Sequence, residues 1–182
     1  MIPAKIHFFW HDLKNIPGWV VSNIRTWEKY HDVYIHDARV VPDNILGLKP
    51  NEQSDVARWW LLWSLGGVYS DVDTICLRPL NDLLWTSSGF AVLQHSYVLP
   101  RTNAFVGAEC RSGIIYGLYQ EAIEWSKNKN RKIDDILRSQ QKHLMSMQDQ
   151  LAAEYCPQQT TTVPPIVTPL AYCYHQNKRS FR

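Results

Sequence analysis

The chain of 182 residues has little that would cross-link it, anchor it or give it one dominant charge. Its four cysteines, Cys76, Cys110, Cys156 and Cys173, form no CxxC pair and show no zinc-ligand spacing. Cys173-Tyr174-His175 is only a weak metal pattern, and free thiols in a reducing compartment are the expected state. The start, Met1-Ile2-Pro3-Ala4-Lys5, lacks the apolar stretch of a signal peptide. No segment approaches the ~20 apolar residues of a membrane span. These absences give the expectation of a cytoplasmic protein. Charge of one sign is also lacking. With 19 Lys and Arg against 17 Asp and Glu, the formal net charge of +2 does not by itself argue for nucleic acid or membrane. No internal repeat is present. What is plentiful is aromatic surface: eight Trp and nine Tyr, residues that build cores and also stack on bases and sugar faces. A length of this order suits one domain with a proper core.

Along the chain, short apolar runs alternate with amphipathic ones, the pattern of a mixed α/β domain. Lys5 to Trp10 reads as a first strand ending in His11-Asp12. Pro17 to Tyr30 reads as a helix with Val20, Val21, Ile24 and Trp27 on one face. Asp32 to His36 is a second strand, and Pro42, Gly47 and Pro50 mark a loop. Asn51 to Leu65 is a second helix, with Gly66 as its left-handed terminator. Val68 to Ser70 and Thr74 to Leu77 are strands, and Asn81 to Trp85 is a short helix. Phe90 to Gln94 and Asn103 to Val106 are further strands. Ile114 to Ser126 is a helix with Ile115, Leu118, Tyr119, Ala122 and Ile123 at helical spacing. After a charged break, Ile133, Ile136, Leu137, Leu144, Met147 and Leu151 mark a last amphipathic helix. A strand is expected near Val163 to Thr168.

The most informative segment runs from Ser54 to Asp73. Asp55 and Arg58 share one helix face. The helix ends at Gly66-Gly67, where a residue must take positive φ. A strand then delivers Asp71-Val72-Asp73. From Arg58 to Leu65 the helix climbs about 10 Å, at roughly 1.5 Å per residue. From Gly67 to Asp71 an extended chain covers about 13 Å, at roughly 3.3 Å per residue. If the glycines reverse the chain, Asp71 and Asp73 return to the level of Asp55 and Arg58. In an extended chain, Asp71 and Asp73 would point to the same side. Two such carboxylates repel unless a cation or proton lies between them. Their hard oxygens favour Mg²⁺ or Mn²⁺ together with substrate phosphates. A solvated acidic turn and a surface ion pair are the bland alternatives. Trp59, Trp60 and Trp63 are expected in the core.

This segment resembles the DXD-type sugar-binding glycosyltransferases, a group with yeast-type α-mannosyltransferases, capsule and lipopolysaccharide glycosyltransferases and, distantly, the large glucosylating toxins. Their pattern is Ser-Asp, Arg three residues on, then Gly-Gly-x-Tyr-x-Asp-x-Asp. It stands here as Ser54-Asp55, Arg58 and Gly66-Gly67-Val68-Tyr69-Ser70-Asp71-Val72-Asp73. Ile2 to Trp10 is similar to the family's first strand, Ile-Pro-Lys-x-Ile-His-x-x-Trp. Leu77 to Leu80 and Asn103 to Ala108 are similar to later segments. His175, Ser180 and Phe181 have the spacing of a C-terminal His-x₄-Ser-Trp, with Phe for Trp. A Thr-Gly-Pro segment common near the family's C-terminus is missing.

The resemblance implies an α/β GT-A fold: a Rossmann-like single domain over 1–182 with a mixed central sheet. Residues 1–85 would bind nucleotide-sugar and metal, and 86–182 would form the acceptor side. It implies transfer of a sugar from a nucleotide-sugar, a UDP- or GDP-sugar, to an acceptor hydroxyl, with Mn²⁺ or Mg²⁺ and with retention of anomeric configuration. The donor would meet Trp10 beside the base, and Asp55, Arg58, Tyr69 and Asp71. The metal would be held by Asp73, Asp71 and His175, with Asp71, Asp73 and Arg58 as the catalytic set. The acceptor, whether glycan, lipid-linked glycan, protein or modified nucleic acid, is not specified. Glu109 is a candidate for the acceptor side. Two other readings stay open. One is a nucleotide-sugar-binding module without transfer activity. The other is a nucleic-acid-binding or -modifying protein that uses the basic stretch Lys127, Lys129, Arg131, Lys132, Arg138 and Lys142.

Overall fold

Short strands buried on both faces need helices on both faces, and the chain supplies them in alternation. The computed structural model describes residues 2–86, 90–93, 102–127, 151–153 and 173–176. In chain order these form β1 (Lys5–Phe9), α1 (Gly18–Glu28), β2 (Asp32–His36), α2 (Pro50–Leu65), β3 (Gly67–Ser70) and β4 (Thr74–Cys76). Then follow α3 (Asn81–Thr86), β5 (Phe90–Leu93), β6 (Thr102–Ala108), α4 (Gly113–Lys127), β7 (Leu151–Ala153) and β8 (Cys173–His175). The main sheet has the order β2-β1-β3-β6-β5-β7. β2, β1 and β3 run parallel, β6 runs against both its neighbours, and β5 and β7 are parallel to each other. The sheet is therefore mixed, as expected.

Alternation along β1 sorts the core into two layers. Ile6 and Phe8 face α1 residues Val20, Ile24 and Trp27, with Val68, Phe105, Cys76 and Cys173 in the same cluster. Phe9 joins Tyr69 and Val106 beneath α2 and α4, where Trp59, Leu62, Ile115 and Leu118 are buried. Of the three tryptophans expected in the core, Trp59 is fully buried, whereas Trp60 and Trp63 are partly buried at the rim. There Trp63 stacks on Tyr119 and carries the Arg111 guanidinium over its ring.

The chain steps to one side of β1 through α1 into β2 and crosses to the other side through α2 into β3, so β1 and β3 border a topological switch point. In open α/β sheets, ligands bind at such a point beyond the carboxyl ends of the strands. Trp10 and Asp71 follow β1 and β3 at this edge, and Asn103 enters it on the antiparallel β6.

The sharp reversal from α2 into β3 is the condition for this arrangement. Gly66 has φ 65° and ψ −172°, and Gly67 has φ 98°. The expected left-handed terminator is thus corrected: φ is positive, but ψ is extended, because β3 begins at the very next residue. Neither position has space for a side chain. A Cβ on Gly66 would lie 2.6 Å from the Cys110 nitrogen, and one on Gly67 would lie 2.7 Å from the Lys5 oxygen. His7 fixes the turn from below. Its Nε2–H donates to the Gly66 oxygen at 2.9 Å, which leaves Nδ1 to accept from His36 Nε2–H at 2.9 Å. Burial, with the neighbouring His36, lowers His7 to about 4, so this neutral tautomer holds at ordinary pH.

Two further expectations are corrected. Asp71-Val72-Asp73 is not extended; it is a turn, closed by Thr74 N–H donating to the Asp71 oxygen at 3.1 Å. Leu151 begins a strand, not the end of a helix. The rest of that expected helix, the strand near Val163 to Thr168, and the basic stretch beyond Lys127 lie outside the described residues. No described helix is long and apolar enough to cross a membrane.

Candidate active site

Four sequence-predicted residues meet around one guanidinium. Arg58 is 3% exposed, near the middle of α2. Its Nη2 donates to Asp55 Oδ1 at 2.7 Å, and its Nη1 lies 3.3 Å from Asp71 Oδ1. Nη1 also donates to the Asn103 carbonyl at 2.7 Å, and Nε to the Ser54 carbonyl at 3.3 Å. The guanidinium lies 4.9 Å from the Tyr69 ring centroid. Tyr69 is buried, and its hydroxyl is paired with Ser54 Oγ at 2.9 Å. The helix-turn-strand geometry expected from sequence thus brings Asp55, Arg58, Tyr69 and Asp71 together. Arg58 donates from Nε, Nη1 and Nη2 to the protein, so its guanidinium is spent largely on holding the cluster together.

Burial, opposed by Arg58 and reinforced by Asp71 and Glu52, pushes the Asp55 carboxyl up to about 6 from its ordinary 3.8. The folded state therefore keeps a proton that the unfolded state has lost, and Asp55 contributes less stability as pH rises from about 4 to about 6. Asp55→Asn removes this penalty. Relative to the unsubstituted protein, it should gain about 2–3 kcal/mol between pH 4 and pH 7, roughly 5–10 °C in melting temperature. Melting curves of the two proteins at both pH values check this. A constant difference would return Asp55 to an ordinary carboxylate.

Asp73 is 5% exposed in the turn. Its carbonyl accepts from Gln176 N–H at 2.7 Å. Thr74 secures the turn, with Oγ1 donating to the Asp71 carbonyl at 2.7 Å and paired with Ser70 Oγ at 2.6 Å. β8 pairs antiparallel with β4, setting His175 opposite Thr74, beside Asp73 in the chain. Among the described residues, no three His, Cys, Asp or Glu side chains gather into a metal site. Two carboxylates on one turn still fit a hard divalent cation, since such ions complete their shells with phosphate oxygens and water.

Trp10 follows β1 at the switch-point edge but lies in the core at 4% exposure. Its Nε1–H donates to the Asn15 carbonyl at 3.3 Å, and Trp19 packs edge-on at 6.5 Å. Glu109 is not near the acidic turn. It follows β6 at the end that pairs with Gly67, whereas Asn103 and Ala104 enter beside Asp71. Five residue steps of extended strand separate Ala104 from Glu109, roughly 16 Å.

The structure adds two residues that sequence reasoning did not single out. The Asn103 amide nitrogen is buried with no hydrogen-bond partner, next to the carbonyl that holds Arg58. Asn23, on α1, is 6% exposed and reaches Val72 in the acidic turn. A signal existed for Asn23: an amide stands on the apolar face defined by Val20, Ile24 and Trp27. Asn103 opens a strand segment already quoted for its resemblance, but nothing local marked its side chain.

Residues 9–89 match the family model described as "Glycosyltransferase sugar-binding region containing DXD motif". No curated protein matches the chain by sequence. Among solved structures, "PaToxG Glycosyltransferase" superposes with a TM-score of 0.59 at 17% identity, over 80% of this chain and 69% of that one. A galactosyltransferase, LgtC, in complex with donor and acceptor sugar analogs gives 0.61 at 13% identity, over 96% and 87%. A glycosyltransferase involved in glycosylation of the major capsid of PBCV-1 gives 0.56 at 9% identity, over 98% and 96%. The acidic turn, Arg58 and the Gly66-Gly67 reversal all lie within the matched region. Residues 9–89 are thus similar to the sugar-binding region of DXD-containing glycosyltransferases, and the chain has the GT-A fold of these solved structures.

Proposed function

We propose that the protein transfers a sugar from a nucleotide-sugar, a UDP- or GDP-sugar, to an acceptor hydroxyl. A divalent cation, Mn²⁺ or Mg²⁺, would be held by Asp71 and Asp73 with the donor diphosphate, and His175 would join them from β8. The observation that carries this reading is the meeting of Asp55, Arg58 and Asp71 at the carboxyl ends of β1 and β3, with an unpaired Asn103 amide beside them.

When bound, the cation supplies positive charge against which the nucleoside diphosphate can leave. The chain's own residues do the remaining work. Asp55 accepts hydrogen bonds from sugar hydroxyls, while Arg58 holds Asp55 and Asp71 in their orientations. The Asn103 amide donates to a sugar oxygen, which satisfies a group whose burial is otherwise costly. Tyr69 supports the guanidinium from beneath, and Trp10 flanks the base. The Asp55 and Asp71 carboxylates are both paired with Arg58, and this reading gives neither the part of a nucleophile. The proposed path is therefore a front-face displacement with retention, the leaving diphosphate drawing the proton of the incoming hydroxyl. In this reading, residues 1–85 bind the donor and 86–182 form the acceptor side.

The test compares two ligands in the presence of Mn²⁺. Asn103→Ala should weaken a bound nucleotide-sugar about 3- to 10-fold, the worth of one hydrogen bond of roughly 0.7–1.4 kcal/mol. The free nucleoside diphosphate should bind as before. Equal weakening of both would move Asn103 to the phosphates. Unchanged binding of both would remove it from the donor site.

A further inference from the structure

One face of α1 is turned toward the acidic turn and β4. Asn23, Thr26 and Trp27 stand at i, i+3 and i+4. The Asn23 amide nitrogen donates to the Val72 carbonyl at 3.0 Å. Thr26 Oγ1 accepts from Cys76 N–H at 2.9 Å, and Trp27 Nε1–H donates to the Thr74 carbonyl at 3.3 Å. The Thr74 carbonyl and Cys76 N–H are groups of β4 that point away from β8. The Gln176 N–H to Asp73 carbonyl bond makes residues 73 and 176 a hydrogen-bonded pair. Alternation then leaves Thr74/His175 and Cys76/Cys173 as non-hydrogen-bonded pairs. The outer edge of the two-stranded ladder is thus completed by side chains of α1, as buried backbone groups require.

Asn23 does more than close an edge. Its second N–H is directed at Gln176 Oε1, 3.3 Å away. One amide group therefore joins the middle peptide of Asp71-Val72-Asp73 to the residue after His175. Both acceptors are carbonyl-type oxygens, so the amide nitrogen must face them.

We propose that Asn23 is a positioning residue for the metal turn, fixing the Val72 peptide plane and thereby the relative placement of Asp71, Asp73 and the strand that carries His175. The inference rests on the proposed function, in which a cation binds at this turn. Rotation of the Val72 peptide would swing both flanking carboxylates. Outer partners that orient metal-binding groups typically account for about 10- to 100-fold in metal affinity. Thr26 Oγ1 donates to the Asn23 backbone carbonyl at 2.6 Å and accepts from Cys76 N–H, both partners outside the turn, and serves as the structural comparison.

The experiment titrates Mn²⁺ in the presence of UDP or GDP, whichever nucleotide the unsubstituted protein binds, and follows the free-ion signal by electron paramagnetic resonance. Thermal melting is recorded on the same samples. Asn23→Asp keeps the side-chain shape but loses the donor, and should raise the Mn²⁺ dissociation constant about tenfold or more. Gln176→Ala, a half-buried site, should do the same more weakly and decides the matter if Asn23→Asp does not fold. Thr26→Val should lower the melting temperature without moving Mn²⁺ affinity. Unchanged Mn²⁺ affinity in a folded Asn23→Asp, or an equal shift in Thr26→Val, overturns the proposal. Absence of Mn²⁺ binding by the unsubstituted protein overturns the proposed function itself, and this inference with it.

Discussion

Asp73→Ala should lose more than about 100-fold in turnover, the low end for removal of a charge-stabilising group, while remaining folded. The argument for retained fold is local. The turn is held by Thr74 N–H and Oγ1 on the Asp71 carbonyl and by Gln176 N–H on the Asp73 carbonyl. Every one of these bonds uses backbone at Asp73 or Asp71, so the Asp73 side chain can be removed without breaking them. Asp73→Asn should fall almost as far, because an amide oxygen is a poorer ligand for a hard cation than a carboxylate. Chelation of the unsubstituted protein should copy the effect, and added Mn²⁺ or Mg²⁺ should reverse it. Steady-state release of nucleoside diphosphate, with a melting curve on each variant, checks all of this. Full turnover in Asp73→Ala would remove the metal from the turn.

Arg58→Met should destabilise the protein by about 3–5 kcal/mol, because it leaves Asp55 and Asp71 partly buried without their shared cation. For a chain of this length that is roughly 6–20 °C in melting temperature. The Ser54 and Asn103 carbonyls lose their donor as well. Arg58→Lys should fall in between, since a compact ammonium cannot serve Ser54, Asp55, Asp71 and Asn103 from one plane. Activity should drop in both, with Met more severe. Differential scanning calorimetry is the direct measurement. A stable Arg58→Met would make Arg58 a free substrate ligand and not the centre of the cluster.

These effects also explain what was legible in the sequence. The Asp55–Arg58 face, the Gly66-Gly67 reversal and β3 lie within one short stretch, and helix rise against strand rise sufficed to bring them together. The helices α1, α2 and α4 were readable because their buried residues repeat at helical spacing. The acidic pair is a turn and not extended because the Thr74 hydroxyl takes the Asp71 carbonyl, held there by Ser70 Oγ, a local side-chain bond that spacing alone does not reveal. The partners of Asn23, and Asn103 and Gln176 themselves, were out of reach for another reason. Asn23 meets Val72 and Gln176 across long sequence separations, and no local pattern encodes a contact between helix, turn and a distant strand. Glu109 was a candidate only until the antiparallel register of β6 set it at the far end of that strand.

The central claim is that this site releases a nucleoside diphosphate from a nucleotide-sugar when metal is present. The direct measurement incubates the protein with UDP- and GDP-sugars, Mn²⁺ and candidate acceptor hydroxyls, and reads released nucleoside diphosphate together with the mass of the acceptor. The account predicts release from one nucleotide class, matched by a glycosylated acceptor, abolished by chelator and lost in Asp73→Ala. Release that persists in chelator, or that is equal in Asp73→Ala, would contradict it.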